Sequence, residues 1–154
     1  MDDGPQWVII GIGNPDRGDD GAGRRAARLL RERLPSEVKV VEASGEASAL
    51  LNELAAARSV ILIDACMGDS RAGAIHRFDV AAESLPATFQ DLSSHGLGVG
   101  VAIELARSLD QLPKRCILYA IEARQFDIKT GTSPDMDAAI NEVCDRIAQD
   151  VLAG

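Results

Sequence analysis

Short apolar segments alternate with amphipathic segments along this chain of 154 residues. Almost uninterrupted hydrophobicity marks residues 7–11, 59–65 and 116–121, and runs of that length are typical of strands buried on both faces of a sheet. Apolar residues recur at helical spacing in the segments that follow, which are residues 20–34, 47–57, 101–109 and 133–151. Because strands and helices alternate, the sequence predicts a doubly wound α/β domain.

Two weaker strand patterns, at residues 38–41 and 74–80, complete the predicted sheet. We therefore predict a three-layer α/β domain, in which a roughly five-stranded, mostly parallel, twisted sheet has helices on both faces. The chain contains no internal repeat and no linker-like block of Pro, Ser or like charge. Residues 1–154 are accordingly predicted to form a single domain.

A loop rich in glycine and acidic residues follows the first predicted strand. Residues 11–23 contain five glycines, which allow unusual backbone angles and close approach of neighbouring chain. In an open α/β sheet, ligands bind beyond the carboxyl ends of the strands, which is where this loop belongs. Side-chain oxygens in the loop come from Asn14, Asp16, Asp19 and Asp20.

The opening Gly11-Ile12-Gly13 of this loop resembles a dinucleotide fingerprint, but Asp16 stands where the third glycine is needed. Like-charge repulsion from three aspartates disfavours a phosphate ligand, and no Gly-Lys-Ser/Thr follows to make a P-loop. The acids instead favour a cation or a group that must be polarised. A compatible alternative is that Asp19 or Asp20 caps the next helix.

Further acidic residues stand near the ends of other predicted strands. Right-handed crossovers bring the carboxyl ends of the parallel strands to one edge, where Asp20 and Asp64 meet, with Glu42 and Glu122 as additional candidates. His95 precedes a predicted helix. Two carboxylates and an imidazole can hold a divalent metal and leave positions open for a second molecule, so Asp20, Asp64 and His95 are the candidate site. Their spacing matches no metal motif, and capping or hydrogen bonding is the alternative for the histidine.

Three other residues have a structural and a functional interpretation. His76 lies in an alternating edge-strand pattern, which favours a solvated structural role. Asp16 is either an additional acid of the site or a partner of loop amides, and the sequence leaves both open. Cys66 follows Asp64 by two residues and is a candidate nucleophile, although packing is the favoured role for such a thiol.

A catalytic serine triad is disfavoured. Ser93, Ser94 and His95 are adjacent in sequence, whereas triad members meet through the fold. The chain also lacks a G-x-S-x-G segment that would present a serine at a strand-to-helix turn.

Net charge and cysteine content limit the kinds of partner and the cellular compartment that we expect. A net charge of −8 disfavours nucleic acid and anionic lipid as partners. The same charge favours a partner protein that carries a basic segment. Neither a signal peptide nor a membrane-spanning segment is apparent, so we expect a cytoplasmic protein with no membrane partner. Three cysteines without C-x-x-C spacing fit reduced thiols.

Sequence motifs at four separated places resemble those of the hydrogenase maturation proteases. The resemblance covers nearly the whole chain in order, and a G-x-G-N segment followed by a D-D-G-x-G turn is fairly specific. The matching segments are Gly11-Ile12-Gly13-Asn14 with Gly18-Asp19-Asp20-Gly21-Ala22-Gly23, then Ile63-Asp64-Ala65, Ser94-His95-Gly96-Leu97 and Thr132-Ser133-Pro134.

The resemblance implies a phosphorylase/hydrolase-like fold and an aspartic-type endopeptidase. Such an enzyme removes a C-terminal extension from the precursor of a nickel-iron hydrogenase large subunit after nickel insertion. The family's metal-contacting and catalytic residues fall on Asp20, Asp64 and His95. The resemblance further implies that the nickel is supplied by the precursor, without a permanently bound cofactor. We expect the enzyme to be a monomer.

At two places the sequence departs from the family pattern, and both departures bear on which precursor the enzyme recognises. His95-Gly96 stands where some members have His-Gln, and Glu42-Ala43-Ser44-Gly45 stands where some have Asp-Gly-Gly-Thr.

Two alternative functions are compatible with the same scaffold. One is a small-molecule hydrolase or nucleosidase, and the other is a non-catalytic nickel chaperone, although the chain lacks a His-rich tract.

Overall fold

A computed structural model describes residues 6–13, 21–67, 73–86, 99–123 and 134–153. In chain order, the described elements are β1 (Trp7–Ile12), α1 (Ala22–Arg33), β2 (Lys39–Ala43), α2 (Ala47–Ala55), β3 (Ser59–Met67), β4 (Ile75–Asp79), α3 (Val99–Ser108), β5 (Arg115–Ala123) and α4 (Pro134–Leu152). Of the described helices, none has the length and apolar character needed to cross a membrane.

The strands form one sheet in the order β2-β1-β3-β5-β4. Strands β2, β1, β3 and β5 run parallel to one another, and β4 pairs with β5 in the antiparallel direction. The carboxyl ends of these four parallel strands therefore lie at one edge, which we call the carboxyl edge. The predicted five-stranded, mostly parallel sheet is confirmed.

Helices cover both faces of this sheet. On one face, Ile9, Ile61 and Tyr119 pack with the buried side of α1 and α4. On the other face, Ile10, Leu62 and Leu118 pack with α2 and α3. Since successive side chains of a strand point to opposite faces, both sides of the central strands are apolar, which explains their uninterrupted hydrophobicity.

Two strands extend further than the sequence predicted. The ladder between β3 and β5 continues to the pair Met67 and Ala123, beyond the predicted ends at residues 65 and 121. Asp64 and Glu122 consequently both lie within paired strands, whereas the predicted strand stopped before Glu122. Parallel backbone hydrogen bonding over these residues keeps the carboxylates in the sheet even though the local sequence becomes polar.

Two glycines of the N-terminal motif let α1 approach the sheet closely. A β-carbon on Gly11 would lie 2.2 Å from the carbonyl oxygen of Gly23, and one on Gly23 would lie 2.3 Å from the carbonyl oxygens of Ile12 and Ile63. No side chain fits in either place. The start of α1 is thereby held against the carboxyl edge, where Gly13 donates its N–H to the carbonyl of Ala43 at 3.0 Å.

Candidate functional site

Of the predicted site residues, Asp64 is described by the structure, whereas Asp20 and His95 lie outside the described residues, as does Asp16. The predicted grouping of Asp20, Asp64 and His95 therefore stays a prediction. Gly21, on the described side of the acidic loop, is the N-cap residue of α1.

Asp64 is an acidic residue within the buried part of β3. Only 1% of its surface is exposed, and its Oδ1 accepts the backbone N–H of Ala65 at 2.9 Å. Its neighbours in the alternation, Leu62 and Cys66, belong to the core between the sheet and α2 and α3. Asp64 thus lies on the α2/α3 face near the carboxyl edge. Burial of a carboxylate is costly, so this position indicates a specific role.

Glu122 in β5 is a second buried acid on the same face. It pairs with Cys66 in the β3–β5 ladder and is 4% exposed. Its Oε1 lies 2.7 Å from Nε2 of His76, a residue of β4. Backbone bonds reinforce this junction, since Gly73 donates its N–H to the Glu122 carbonyl at 2.7 Å and Glu122 donates its N–H to Ala74 at 2.8 Å.

Strand register places these side chains in two adjacent rows across the sheet. Ala120 pairs with Asp64 on one side and with His76 on the other, which makes the first row. Cys66 and Glu122 make the next row, closer to the carboxyl edge. Neighbouring strands are about 4.8 Å apart, so the α-carbons of Asp64 and His76 are separated by roughly 10 Å. The structure therefore brings Asp64, Glu122 and His76 to one small region.

The thiol of Cys66 lies in the same region, but its environment makes it a poor nucleophile. The residue is 1% exposed. Burial, together with the nearby charges of Glu122 and Asp64, raises the pKa of the Cys66 thiol to about 12. Because a thiolate is the nucleophilic form, the structure favours packing over catalysis for Cys66.

Glu42 does not join this group. It accepts hydrogen bonds or ion pairs from Arg24 at 3.2 Å, Arg28 at 3.0 Å and Arg31 at 3.3 Å, all from α1. Burial of Glu42 raises its pKa, but the hydrogen bonds from these arginines outweigh that effect, and the pKa lies below its ordinary value of 4.5. Its side chain is on the α1/α4 face, so the sheet separates Glu42 from Asp64.

The contact between His76 and Glu122 was not predicted from the sequence. The side chain of His76 is 41% exposed, which agrees with the predicted solvated position, but its ring contacts the buried Glu122. Forty-six residues separate the two in sequence. No local spacing signals the contact, which depends on antiparallel pairing of β4 with β5. Within the described ranges, no group of three or more His, Cys, Asp or Glu residues is arranged to hold a metal ion.

Comparison with known proteins decides the family. A family model described as hydrogenase maturation protease matches residues 24–152. The chain belongs to the hydrogenase maturation protease family. It is accordingly an endopeptidase of hydrogenase maturation, as the sequence motifs predicted. A comparison with curated protein sequences returned no match.

Solved structures of similar fold include several hydrogenase maturation proteases. The hydrogenase maturating endopeptidase HybD from E. coli has a TM-score of 0.75 at 21% identity, with 92% of this chain and 89% of that chain covered. The [NiFe] hydrogenase maturation protease HybD from Thermococcus kodakarensis has a TM-score of 0.72 at 23% identity, with coverage of 95% and 98%. HycI from Thermococcus kodakarensis KOD1 has a TM-score of 0.73 at 22% identity, with coverage of 94% and 91%. At these identities the likeness establishes a shared fold.

Proposed function

We propose that this hydrogenase maturation protease removes a C-terminal extension from the precursor of a nickel-iron hydrogenase large subunit, after nickel has been inserted. The observation that carries the proposal is Asp64, a buried carboxylate near the carboxyl edge in a chain of this family. The substrate class is supported by a structural neighbour, the [NiFe] hydrogenase maturation protease HybD from Thermococcus kodakarensis.

Recognition depends on the substrate's own metal in this proposal. Nickel held by the precursor completes its coordination with the side chains of Asp20, Asp64 and His95, so the protein needs no permanently bound cofactor. Carboxylate and imidazole ligands suit a divalent ion of this kind. Binding through nickel fixes the scissile peptide beside the site, and precursor without nickel lacks that anchor.

Hydrolysis then requires a water molecule, a polarised carbonyl and a base. In this proposal the enzyme is of the aspartic type because Asp20 and Asp64 belong to its site. A carboxylate takes a proton from the water as the water oxygen attacks the scissile carbonyl carbon. Surroundings from which water is largely excluded strengthen each electrostatic interaction with the reacting groups. Asp64 meets that condition, since it is buried against the apolar α2/α3 face.

We propose that the reaction takes place in the cytoplasm and that the enzyme acts as a monomer. Three free cysteines support the cytoplasmic compartment, because thiols stay reduced there. The net charge of −8 favours a protein partner over nucleic acid. Sedimentation velocity of the isolated protein tests the oligomeric state, and cell fractionation tests the compartment.

The deciding experiment is the intact mass of a nickel-loaded large-subunit precursor before and after incubation with this protein. Loss of one defined C-terminal peptide, absent with nickel-free precursor, is the expected result. The variants Asp20→Asn and His95→Ala should remain folded and leave the precursor uncut. Tight nickel retention without any change in precursor mass would instead support a metal chaperone. Turnover of nucleosides or short amides without a protein partner would support a small-molecule hydrolase.

A further inference from the structure

The buried carboxylate of Glu122 has no part in the proposed nickel recognition. We propose that Glu122 is a catalytic carboxylate of the same site, the base that receives the proton of the attacking water, and that His76 is the residue that positions it. This inference rests on the proposed endopeptidase function, because it assigns the base of that reaction.

Placement is the first support for this role. Glu122 lies on the α2/α3 face, one row closer to the carboxyl edge than Asp64. Asp64 pairs with Ala120 and Glu122 pairs with Cys66, so the two acids are diagonal neighbours on adjacent strands, with α-carbons roughly 8 Å apart. A base must be near the group that holds the substrate, and Glu122 has that relation to Asp64.

The contact with His76 is the second support. The side chain of Glu122 is 6% exposed, and its Oε1 is 2.7 Å from the imidazole Nε2. With Nε2 protonated, the imidazole donates to the carboxylate and fixes its orientation. Because His76 itself reaches solvent, the pair connects a buried carboxylate to the outside of the sheet. This arrangement resembles the general pattern in which a third group orients a catalytic base.

The alternative is a purely structural role, in which the Glu122–His76 contact holds β4 against β5. These two strands are, however, joined by other contacts. The two strands share a backbone ladder from Ile75–Ile121 to Asp79–Ile117. On the opposite face, Arg77 donates to the Tyr119 hydroxyl at 3.2 Å, and that hydroxyl donates to Asp150 at 2.6 Å. A buried carboxylate is a costly way to add a further contact, because its partner must offset the free energy lost when the charge is removed from water. A functional role accounts for its presence.

Glu122 takes up one proton and gives it back in the course of the proposed hydrolysis. The oxygen of water forms a bond to the scissile carbonyl carbon, and one water proton moves to the carboxylate of Glu122. The tetrahedral intermediate then collapses, the carbon–nitrogen bond breaks, and the proton passes from Glu122 to the leaving nitrogen. The processed chain ends in a new carboxyl group, and the released peptide begins with an amino group.

Glu122→Gln is the direct test, assayed by cleavage of nickel-loaded precursor. The amide keeps the side chain's size and its ability to accept from His76 but removes the base. We expect kcat to fall by about 10²- to 10⁴-fold while KM and nickel-dependent binding of the precursor stay unchanged. Glu122→Asp should recover part of the rate, because it restores a carboxylate at a shorter reach. His76→Gln should lower kcat by about 10- to 100-fold through misplacement of that carboxylate.

Tyr119→Phe is the matched control, because it removes a side-chain link between β4 and β5 on the opposite face. It should keep the wild-type kcat. Wild-type kcat in Glu122→Gln would overturn the inference, and so would an equal loss in Tyr119→Phe, which would indicate a structural effect. If Glu122→Gln does not fold, unchanged kcat in folded His76→Gln overturns the positioning role. A wild-type protein that leaves nickel-loaded precursor uncut would overturn the proposed function itself, which separates the two failures.

Discussion

Gly23 of α1 lies against the carbonyl oxygen of Ile63 in β3 so closely that a β-carbon on Gly23 would be 2.3 Å from that oxygen. Ile63 directly precedes Asp64. The contact therefore joins the first turn of a helix to the strand that carries the site's described aspartate. Backbone atoms on both sides make the contact, so neither side can adjust by changing a rotamer.

Gly23→Ala should destabilise the fold, because the new methyl group requires α1 to move away from β1 and β3. We expect the free energy of unfolding to fall by at least about 1 to 3 kcal/mol, measured by urea denaturation. Glu32→Ala, at an exposed position of the same helix, is the control and should change stability by less than about 0.5 kcal/mol. Equal stabilities of the two variants would contradict the close contact.

Asp64→Asn should leave a folded protein that no longer processes precursor. The amide oxygen can still accept the backbone N–H of Ala65, so the local structure is preserved. Loss of the charge should reduce kcat/KM for nickel-loaded precursor by at least about 100-fold. Asp145→Asn, which alters an exposed aspartate of α4 paired with Arg33, serves as the control and should cut at the wild-type rate. Undiminished cleavage by Asp64→Asn would remove Asp64 from the site.

Glu42→Gln should lower stability at neutral pH in a way that disappears in acid. The folded pKa of Glu42 is below its ordinary value of 4.5, so its ion pairs contribute stability above that value, and this contribution is lost as the pH falls through the folded pKa. We expect the variant to be about 1 to 2 kcal/mol less stable than wild type at pH 7, with the two curves converging below the folded pKa.

Urea denaturation across the range from neutral to acid pH measures this effect. Glu142→Gln is a suitable control, because Glu142 pairs with Arg146 on the exposed side of α4. Its removal should change stability little at any pH. A constant difference between Glu42→Gln and wild type over the whole range would contradict the role assigned to the three arginines.

The cysteines should be unreactive while the protein is folded. All three are buried. Burial raises the pKa of Cys66 and Cys116 to about 12 and that of Cys144 to about 11. Iodoacetamide at pH 8 should therefore label the native protein slowly and the urea-unfolded protein fast, as intact mass can show. Cys66→Ala should still cleave precursor, and loss of cleavage in a folded Cys66→Ala protein would reopen the nucleophile hypothesis.

Local patterns were sufficient to predict much of this fold. Apolar runs such as residues 59–65 have no stable place except between two layers of helices, so the three-layer sheet could be predicted from hydrophobicity. Pro35 correctly marked the end of the first helix, which stops at Arg33. Pro134 correctly marked the start of the last helix. The family also followed from sequence, because its motifs are contiguous segments.

The side-chain partners of the acidic residues were not predictable in the same way. Glu42 and Glu122 both stand near the end of a predicted strand and look equivalent in sequence. The structure places Glu42 among the arginines of α1 and Glu122 on the opposite face with His76. The side of the sheet to which a side chain points depends on how its strand is aligned with the neighbouring strands. That alignment, the register, is fixed by pairing across the whole sheet.

The sequence alone thus determined the elements, their burial and the family, because periodicity and motifs act over a few adjacent residues. Only the tertiary structure decided that β4 runs antiparallel beside β5 and that His76 contacts Glu122. It also decided that Gly23 brings α1 against the strand bearing Asp64. These relationships join residues far apart in the chain, and they depend on strand order, register and packing rather than on any local preference.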